Sequence, residues 1–543
     1  SDVSILYSLN TFGAVAGCLF TQTIAIKYFG VSGTNLTAIG MNILVFFLCV
    51  NFKKNNTTNL VAKRRIQIQI NPYKDDPIQS RWLSLVLILM FMYSGMASLA
   101  SEILWSRVLV FPMGTTLYAF ALILSTFLFG IALGSVLSEK LIGNSHHILK
   151  FLIIQLTIAI SCIAMLPMFE NLHAWTLQVD HLFYDLENIA LKTLGIKSLF
   201  AFGLMFIPTL GFGLTFPLAN RIYLSLFGTV SKTLGNIYAL NTIGALMGTI
   251  LAPFFFIPLM GIRMSLFAIY SLLIVLCFIA MAIHFKLKGK YIATSAIFTI
   301  FIIGGGYVWS NPKINAKQLG SHNLARTEIN VPESDLKLLE YKEGNFSTLS
   351  VIENEKSGAR TLYMNGFSTA TVSDSIGGSS YMQAMGFVPM VLHPNPKKAM
   401  VICFGTGNTT GTVSLFPGVK VDSIEIDKNV LSLAHHFKKW NQNVLEKNNV
   451  QTIIQDGRTF TRWTKNKYDV ITLEPMSPVQ AGTVNLYTKD FYELSANILN
   501  KNGIMMQWLP LHLVGPEDAR SILKTFQEVF PHTSIWNSFL TRI

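Results

Sequence analysis

The residues best suited to chemistry lie in the last third of the chain, each close to the end of a short apolar run. A turn containing Gly405 and Gly407 follows AMVICF, Glu425 ends VDSIE, and Asp456 and Gly457 follow NVQTIIQ. Glycines let the backbone approach a ligand at the carboxyl end of a strand, and an acid ending the next strand can accept hydrogen bonds from both ribose hydroxyls. This spacing predicts a nucleoside-binding site.

The elements that must position these residues alternate between strand and helix patterns. Strand-like runs such as YDVITL and GIMMQW are separated by helix-like stretches such as KDFYELSANILN. This alternation predicts a parallel, doubly wound sheet. Earlier in the chain, FSTLSVIENE, ARTLYMNG and FSTATVS alternate as in a small antiparallel sheet. We therefore predict a linker over 310–339, a small β subdomain over 340–375 and an α/β domain over 376–543.

The first 309 residues have a different composition. The whole chain is 51% hydrophobic and 13% charged, a charged fraction well below that of soluble proteins, and its long apolar runs stop near Trp309. Nine segments approach the roughly 20 apolar residues that a helix needs to cross a bilayer. These segments are 5–29, 34–52, 82–110, 115–137, 148–170, 197–221, 235–258, 262–285 and 291–309. We predict a multi-pass helical membrane domain over 1–309.

The predicted membrane domain contains an internal repeat. YSLNTFGAVAG returns as YALNTIGALMG 231 positions later, and Gly30 corresponds to Gly261 at the same offset. The match extends over 7–52 and 238–283, and many transporter folds are built from such repeats. The second copy closes a six-helix unit, whereas the first has only two helices. Either the first half is shortened or about four helices precede Ser1, and a first residue other than Met favours the second interpretation.

One ionisable residue, Glu102, lies inside a predicted membrane segment. Such residues are expensive to bury in a bilayer and commonly have a function. Arg107 and Asn241 are its candidate partners. The sequence leaves open whether this group forms a functional site or an architectural ion pair.

Positive charge is concentrated in the predicted membrane loops. Residues 1–309 hold 19 Lys and Arg against 9 Asp and Glu, while residues 310–543 hold 23 against 20. Because basic residues near membrane helices contact anionic lipid, we expect the lipid bilayer as a partner and no nucleic acid. Seven basic residues in 53–81 place that loop in the cytoplasm, so the ninth segment would place the soluble domain outside a bacterial inner or plasma membrane. The five cysteines have no metal-ligand spacing, and we expect neither metal nor disulfide.

Longer motifs connect both halves of the chain to a known group of proteins. In the soluble half they are LYMNG, YMQAMGFVPMVLHPNPKKAMVICFGTG, VDSIEID, IIQDGRTF, YDVITLEPMSPV, LYTKDFYE and NGIMMQW; in the helical half they are SEILWSRVL, TLYAFALILSTFLFGIALGS, GLTFPLAN and GNIYALNTIGALMG. The chain resembles membrane proteins in which a transporter-like helical region is fused to a spermidine synthase-like domain. The resemblance implies a Rossmann-like S-adenosylmethionine-dependent transferase fold and transfer of an aminopropyl group to a small amine. The implied cofactor is decarboxylated S-adenosylmethionine or S-adenosylmethionine, without a metal.

The resemblance also implies roles for individual residues. Glu425 would bind ribose and Asp456 the adenine amino group, while Glu474, which replaces the family's catalytic Asp, would accept a proton from the attacking ammonium. The implied cofactor-binding set is Gly405, Thr406, Gly407, Glu425, Asp427, Asp456 and Gly457. The implied substrate set is Tyr381, Gln383, Ser477 and Tyr487, and Gln507 also matches a family position.

Three departures from the family remove ionisable side chains. The family's GGGDG motif is CFGTG here, with Thr406 in place of the acid. The family's YHE is YMQ, with Met382 and Gln383 in place of His and Glu. The family's DxxDP is EPMSP, with Ser477 in place of the second acid. A site with fewer carboxylates compensates a multiply charged amine poorly when that amine leaves water. Putrescine is therefore disfavoured as the acceptor.

Two functions remain open on this sequence. The first is a membrane-tethered transferase. The second is a domain that has lost catalysis and acts as a docking, structural or sensing module, with other membrane or surface proteins as partners. Solute transport by the helices is disfavoured, because the helical half offers few ionisable groups beyond Glu102 and Arg107.

Overall fold

The computed structural model describes most of the chain, in two compact units that are treated separately below. The described residues are 2–56, 81–143, 145–171, 175, 189–227, 230–285, 306, 333–374 and 380–536. The first unit comprises Ser1–Val108, Tyr118–Phe169 and Leu177–Pro312, and the second comprises Leu109–Leu117, Glu170–Thr176 and Lys313–Ile543.

The helical unit is built from long apolar helices. They are α1 (Asp2–Phe20), α2 (Ile26–Asn56), α3 (Arg81–Met113), α4 (Leu117–Ile142), α5 (His147–Ala164), α6 (Ile189–Phe227), α7 (Val230–Leu251) and α8 (Ile257–His284). Within the described residues, six stretches are long and apolar enough to cross a membrane by length and composition. Two of these, Tyr7–Asn51 and Gly235–His284, each cover most of two segments predicted from the sequence. The ninth segment, 291–309, lies outside the described residues except for Gly306, as does most of the 53–81 loop.

Two backbone irregularities recur in this unit at the offset of the sequence repeat. A π-helical turn at Thr21–Ala25 joins α1 to α2, and another at Ala252–Phe256 joins α7 to α8. Gly30 has φ 65° and ψ 179°, and Gly261 has φ 77° and ψ 169°. π-Helical turns are rare, and this backbone conformation suits only glycine. Hydrophobic composition alone does not account for both features recurring 231 positions apart.

A side chain supports the backbone at each of these glycines. The Thr34 hydroxyl donates a hydrogen bond to the Gly30 carbonyl, and the Ser265 hydroxyl donates to the Gly261 carbonyl. Residues 34 and 265 are again 231 positions apart. The two copies therefore share this side-chain hydrogen bond as well as the interruption itself.

The small residues of the second copy allow α7 to pack closely on α3. A Cβ added to Gly244 would lie 1.9 Å from the Met92 carbonyl oxygen, and a Cβ added to Gly248 would lie 2.2 Å from that of Met96. Close backbone approach of this kind is typical of membrane helix pairs. At the corresponding Gly13, a Cβ would meet no atom of the described chain within 4 Å.

The polar candidates of the helical unit lie on two helices, Glu102 and Arg107 on α3 and Asn241 on α7. Arg107 follows Glu102 by five positions, which places the two about 140° apart around the helix axis. The Asn241 side-chain oxygen would lie 2.7 Å from a Cβ at Gly95. Gly95 is two turns before Glu102, or about 10 Å along the axis. The partner and role of Glu102 stay predictions.

The C-terminal unit begins with a four-stranded antiparallel sheet. Its strands are β1 (Leu336–Glu343), β2 (Thr348–Asn354), β3 (Arg360–Met364) and β4 (Phe367–Val372), in that order across the sheet. β1 starts inside the range 310–339 that the sequence predicted as a linker. Its pairing with β2 shifts register between Leu338 and Glu340, and this irregularity interrupts the alternation by which strands are recognised.

The second sheet is parallel and five-stranded, as the alternation of strands and helices predicted. Its strands are β5 (Lys398–Ile402), β6 (Lys420–Glu425), β7 (Val450–Ile454), β8 (Tyr468–Leu473) and β9 (Leu499–Gln507), in the order β7-β6-β5-β8-β9. The accompanying helices are α9 (Ser380–Leu392), α10 (Asn408–Val413), α11 (Lys428–Leu433), α12 (Lys438–Asn441), α13 (Gly457–Trp463), α14 (Lys489–Ile498) and α15 (Pro516–Gln527). The chain order reverses between β5 and β8. In open parallel sheets, ligands bind at the carboxyl ends of the strands at such a point.

Both faces of this sheet are buried. Met400 and Ile402 of β5 pack towards Phe491 of α14, whereas Val401 packs in the cluster that contains Val413 of α10. Apolar cores on both faces fix the strands in register. The residues at their carboxyl ends are therefore held in place on rigid elements.

Candidate functional site

The carboxyl edge of the parallel sheet brings the predicted acids together. Glu425 ends β6, Asp456 follows β7, and Glu474 follows β8 directly. All three surround Cys403, the first residue after β5. Burial raises the pKa of the Cys403 thiol well above its ordinary value, and the negative charges of the three acids raise it further. Cys403 was not among the sequence candidates, although its position at the start of the Gly-rich turn was visible.

The turn requires glycine at positions 405 and 407 for different structural reasons. Both have left-handed backbones, with φ 56° at Gly405 and φ 85° at Gly407. A Cβ at Gly407 would lie 2.7 Å from the Phe404 ring, so close packing also requires glycine there. A Cβ at Gly405 would meet no described atom within 4 Å. Gly405 is thus the position where the backbone is open to a ligand.

The Glu425 carboxylate is held in a fixed orientation by the backbone. One oxygen accepts a hydrogen bond from the Phe404 N–H at 2.9 Å, and the other accepts from the Asp427 N–H at 3.0 Å. Burial raises the pKa of Glu425, and these N–H groups act in the opposite direction. Each carboxylate oxygen can accept a second hydrogen bond. This geometry suits a pair of neighbouring hydroxyls.

Asp427 lies next to this site, but its oxygens are engaged with the protein. One accepts from the Asn429 N–H and so caps α11, and the other accepts from the Ser347 hydroxyl at 2.6 Å. The side chain is 1% exposed. In this arrangement Asp427 connects the loop before β2 to the start of α11.

Asp456 and Gly457 also have different roles: Asp456 presents an exposed carboxylate, whereas Gly457 is required by packing. Asp456 is exposed and caps α13 by accepting from the Thr459 N–H at 2.8 Å. Its second carboxylate oxygen remains open to a ligand. A Cβ at Gly457 would lie 2.5 Å from a methyl carbon of Ile402, so helix packing on the sheet accounts for glycine at this position.

Glu474 has the most perturbed environment of the acids at this edge. Burial raises its pKa from 4.5 to about 7, and a hydrogen bond from Tyr381 opposes the rise. Burial and the adjacent Glu474 charge in turn raise the pKa of the Tyr381 hydroxyl. The Tyr381 ring stacks on Trp508, with 6.2 Å between ring centroids. Trp508 was not predicted from the sequence, although it directly follows β9.

The remaining polar groups near Glu474 are partly unsatisfied. The Tyr487 hydroxyl donates to the Met476 carbonyl at 3.3 Å, and the Gln507 amide donates to the Leu486 carbonyl at 3.1 Å. The Gln507 side-chain oxygen and the Ser477 hydroxyl are buried without a hydrogen-bond partner in the described part of the chain. Buried polar atoms are normally paired with protein, water or ligand. These two atoms therefore lack a partner that the described chain would supply.

Two predicted site residues do not face this group. Thr406 is 1% exposed and its hydroxyl lies 3.6 Å from the Met382 sulfur. Gln383 is exposed and lines a surface depression with Phe387 and Trp440. It is two positions from Tyr381 on α9, and residues so spaced point to opposite sides of a helix. The structure therefore does not bring Gln383 and Tyr381 to the same side.

The fold and these residues define a Rossmann-like domain with a group of acidic side chains at its switch point. Residues 378–541 match the spermine/spermidine synthase domain. The polyamine aminopropyltransferase of Bacillus cereus is 28% identical over 203 residues, which are 37% of this chain and 72% of that enzyme. The C-terminal part of the chain thus carries a spermidine synthase domain.

Two solved structures are similar to the same region. A spermidine synthase in complex with the transition-state analogue AdoDATO is 25% identical, with a TM-score of 0.33, over 36% of this chain and 66% of that one. The spermidine synthase of Thermotoga maritima is 24% identical, with a TM-score of 0.32, over 36% of this chain and 65% of that one. This chain spans just under two thirds of each solved enzyme.

Proposed function

We propose that the protein transfers an aminopropyl group from decarboxylated S-adenosylmethionine to a small amine, and that its helical unit tethers it to a membrane. The observation that carries the proposal is Glu474, a carboxyl group at the switch point whose pKa is raised to about 7. A general base works best when its pKa lies near the operating pH. The membrane tether is supported by the six long apolar stretches found among the described residues.

The cofactor would be held by groups already oriented in the protein. Glu425 offers two carboxylate oxygens to the ribose hydroxyls, Asp456 offers an open oxygen to the adenine amino group, and Gly405 leaves space for the backbone to approach. Decarboxylated S-adenosylmethionine supplies an aminopropyl group on a sulfonium sulfur, which leaves as a neutral thioether when the amine nitrogen bonds to carbon.

Glu474 acts on the amine rather than on the cofactor. An ammonium group has no lone pair, so it must lose a proton before it can attack. The Glu474 carboxylate accepts that proton, and the Tyr381 hydroxyl stabilises its ionised form. Because the reaction needs ionised Glu474, the rate should rise with pH through about 7.

The acceptor should carry fewer positive charges than a polyamine. Ser477, which stands in place of the family's second acid, is neutral. The stacked Tyr381 and Trp508 rings supply aromatic surface beside Glu474 instead of a second carboxylate. We therefore propose an amine with a single cationic group and an apolar substituent as the acceptor.

The test is transfer by the full chain in detergent or native membranes. Decarboxylated S-adenosylmethionine is supplied with monoamines and diamines, and release of methylthioadenosine is measured. Glu474→Gln should lower turnover about 10²-fold to 10⁴-fold, the usual contribution of a general base. Glu493→Gln, an exposed carboxylate on α14, is the matched control.

Binding measured in the same preparations separates the two functions left open by the sequence. Nucleoside binding without transfer to any amine would contradict the transferase proposal and favour a sensing or docking module. Equal turnover in Glu474→Gln and the unmodified protein would contradict the assignment of the base.

The side of the membrane on which the C-terminal unit lies stays a prediction. Labelling of a cysteine introduced at Ser357, in intact cells, can check it.

A further inference from the structure

A second group of ionisable side chains lies away from the carboxyl edge of the parallel sheet. It consists of Glu340 on β1 and of His435 and His436 in a 3₁₀ turn that follows α11. One carboxylate oxygen and two imidazole nitrogens lie within 4.8 Å of one another. The proposed transfer reaction uses none of these three residues.

The spacing of these atoms is close to that required by a metal ion. One Glu340 oxygen lies 2.7 Å from His436 Nε2 and 3.6 Å from His435 Nε2. Tetrahedral zinc with bonds of about 2.0–2.2 Å places neighbouring ligand atoms roughly 3.3 Å apart. The two distances lie on either side of this value and the two histidine nitrogens lie within 4.8 Å of each other, so side-chain rotations would complete the site.

Neighbouring groups already orient two of the three ligands. His435 Nδ1 lies 2.9 Å from the Ser432 carbonyl oxygen, an arrangement that places the proton on Nδ1 and leaves a lone pair on Nε2. The other Glu340 oxygen accepts from the Lys342 ammonium at 2.8 Å. Lys342 also donates to the Ser432 hydroxyl at 2.9 Å. Outer hydrogen bonds of this kind are typical of metal ligands.

Two positive charges lie near the group, and each is paired with a carboxylate oxygen. Lys342 is bound to the other oxygen of Glu340, at 2.8 Å. Arg360 donates to the His436 carbonyl, and its guanidinium is paired with Glu353 at 2.6 Å. A cation at the three converging atoms would therefore meet one carboxylate and two imidazoles as its nearest groups.

We propose that Glu340, His435 and His436 bind a divalent transition-metal ion of the Zn²⁺ class, with water completing the coordination. Two imidazoles and one carboxylate favour such ions over Mg²⁺ or Ca²⁺, which take oxygen ligands. The His435 side chain is 52% exposed, so the ion can enter from solvent. Bound there, it connects β1 of the small sheet to the turn after α11 and stabilises the contact between the two parts of this unit.

The test uses the full chain without a histidine tag, stripped of metal by a chelator that is then removed. Zn²⁺ binding is measured by equilibrium dialysis, and Co²⁺ binding by its visible d–d absorption. We expect one tight equivalent of metal per chain and a Co²⁺ spectrum distinct from that of the hydrated ion. Glu340→Gln, which keeps the side-chain shape, should weaken binding at least tenfold, as should His436→Ala.

Two further variants distinguish loss of a ligand from loss of structure. Glu340→His replaces one ligand by another and should keep the site, whereas His532→Ala removes an exposed histidine elsewhere and should leave binding unchanged. Zn²⁺ should raise the Tm of the unmodified chain but not that of Glu340→Gln. Equal Zn²⁺ affinity in the unmodified chain and in Glu340→Gln would overturn the proposal, and so would an equal loss in His532→Ala.

Discussion

The perturbed environment of Glu474 predicts a change in stability as well as in catalysis. In the unfolded chain this carboxyl ionises near its ordinary pKa of 4.5, whereas in the folded protein it keeps its proton until about pH 7. The folded state therefore binds more protons between these values, and its stability falls as pH rises through this window. Below 4.5 no penalty is present, and above about 7 the penalty is complete.

The magnitude follows from the separation of the two pKa values. At about 1.36 kcal/mol for each pH unit between 4.5 and about 7, the penalty at alkaline pH is roughly 3 kcal/mol at most. Glu474→Gln keeps the shape of the side chain and carries no charge at any pH. We expect this variant to match the unmodified protein near pH 4 and to be more stable by up to about 3 kcal/mol near pH 8.

The assay must report on the C-terminal unit alone. The protein is equilibrated in increasing urea at each pH, then labelled by a short pulse of hydrogen exchange under one fixed condition. The mass of the peptide containing the buried strand β8 gives the fraction unfolded. Glu493→Gln, on the exposed side of α14, should show no pH-dependent gain. If Glu474→Gln gains as much at pH 4 as at pH 8, the carboxyl is not the origin of the effect and the base assignment loses its support.

Three further predictions use the same protein. Tyr381→Phe removes the hydrogen bond that favours ionised Glu474, so the midpoint of the pH–rate profile should move upwards by about one pH unit, and a downward shift would contradict the contact. Glu425→Gln should weaken methylthioadenosine binding by roughly 10-fold to 100-fold in calorimetry, the value of one or two charge-assisted hydrogen bonds. Gly244→Ala should lower the thermal stability of the helical unit in detergent, because its Cβ would lie 1.9 Å from a backbone oxygen, while Gly13→Ala should have little effect.

The parallel sheet could be predicted from the sequence because its buried strands are continuous apolar runs separated by helix patterns. β1 could not be predicted, because the register shift between Leu338 and Glu340 disrupts its alternation. The apolar helices were visible from composition, but their irregular turns were not. Thr21–Ala25 contains neither glycine nor proline to mark an irregular turn, and only the backbone distinguishes it.

The sequence could predict a site residue only where that residue lies at the end of a parallel strand, because the order of the strands then fixes its place at the edge of the sheet. Glu425 ends β6 and Glu474 follows β8, the two strands on either side of β5, so their convergence followed from the order of the strands. The sequence could not separate ligand contacts from internal ones. Asp427 matches the motif as well as Glu425 does, yet its oxygens cap α11 and bind Ser347. Gln383 and Tyr381 are close in sequence but point to different sides of α9.

The glycine breaks of the helical unit also limit which substitutions the repeat tolerates. Gly30 and Gly261 both have a positive φ that L side chains rarely adopt, although a Cβ at Gly30 would meet no described atom within 4 Å. The limit at Gly30 therefore comes from the backbone itself and not from packing. A side chain at either glycine would strain the backbone in the same way, so the two copies of the repeat share the same intolerance at equivalent positions.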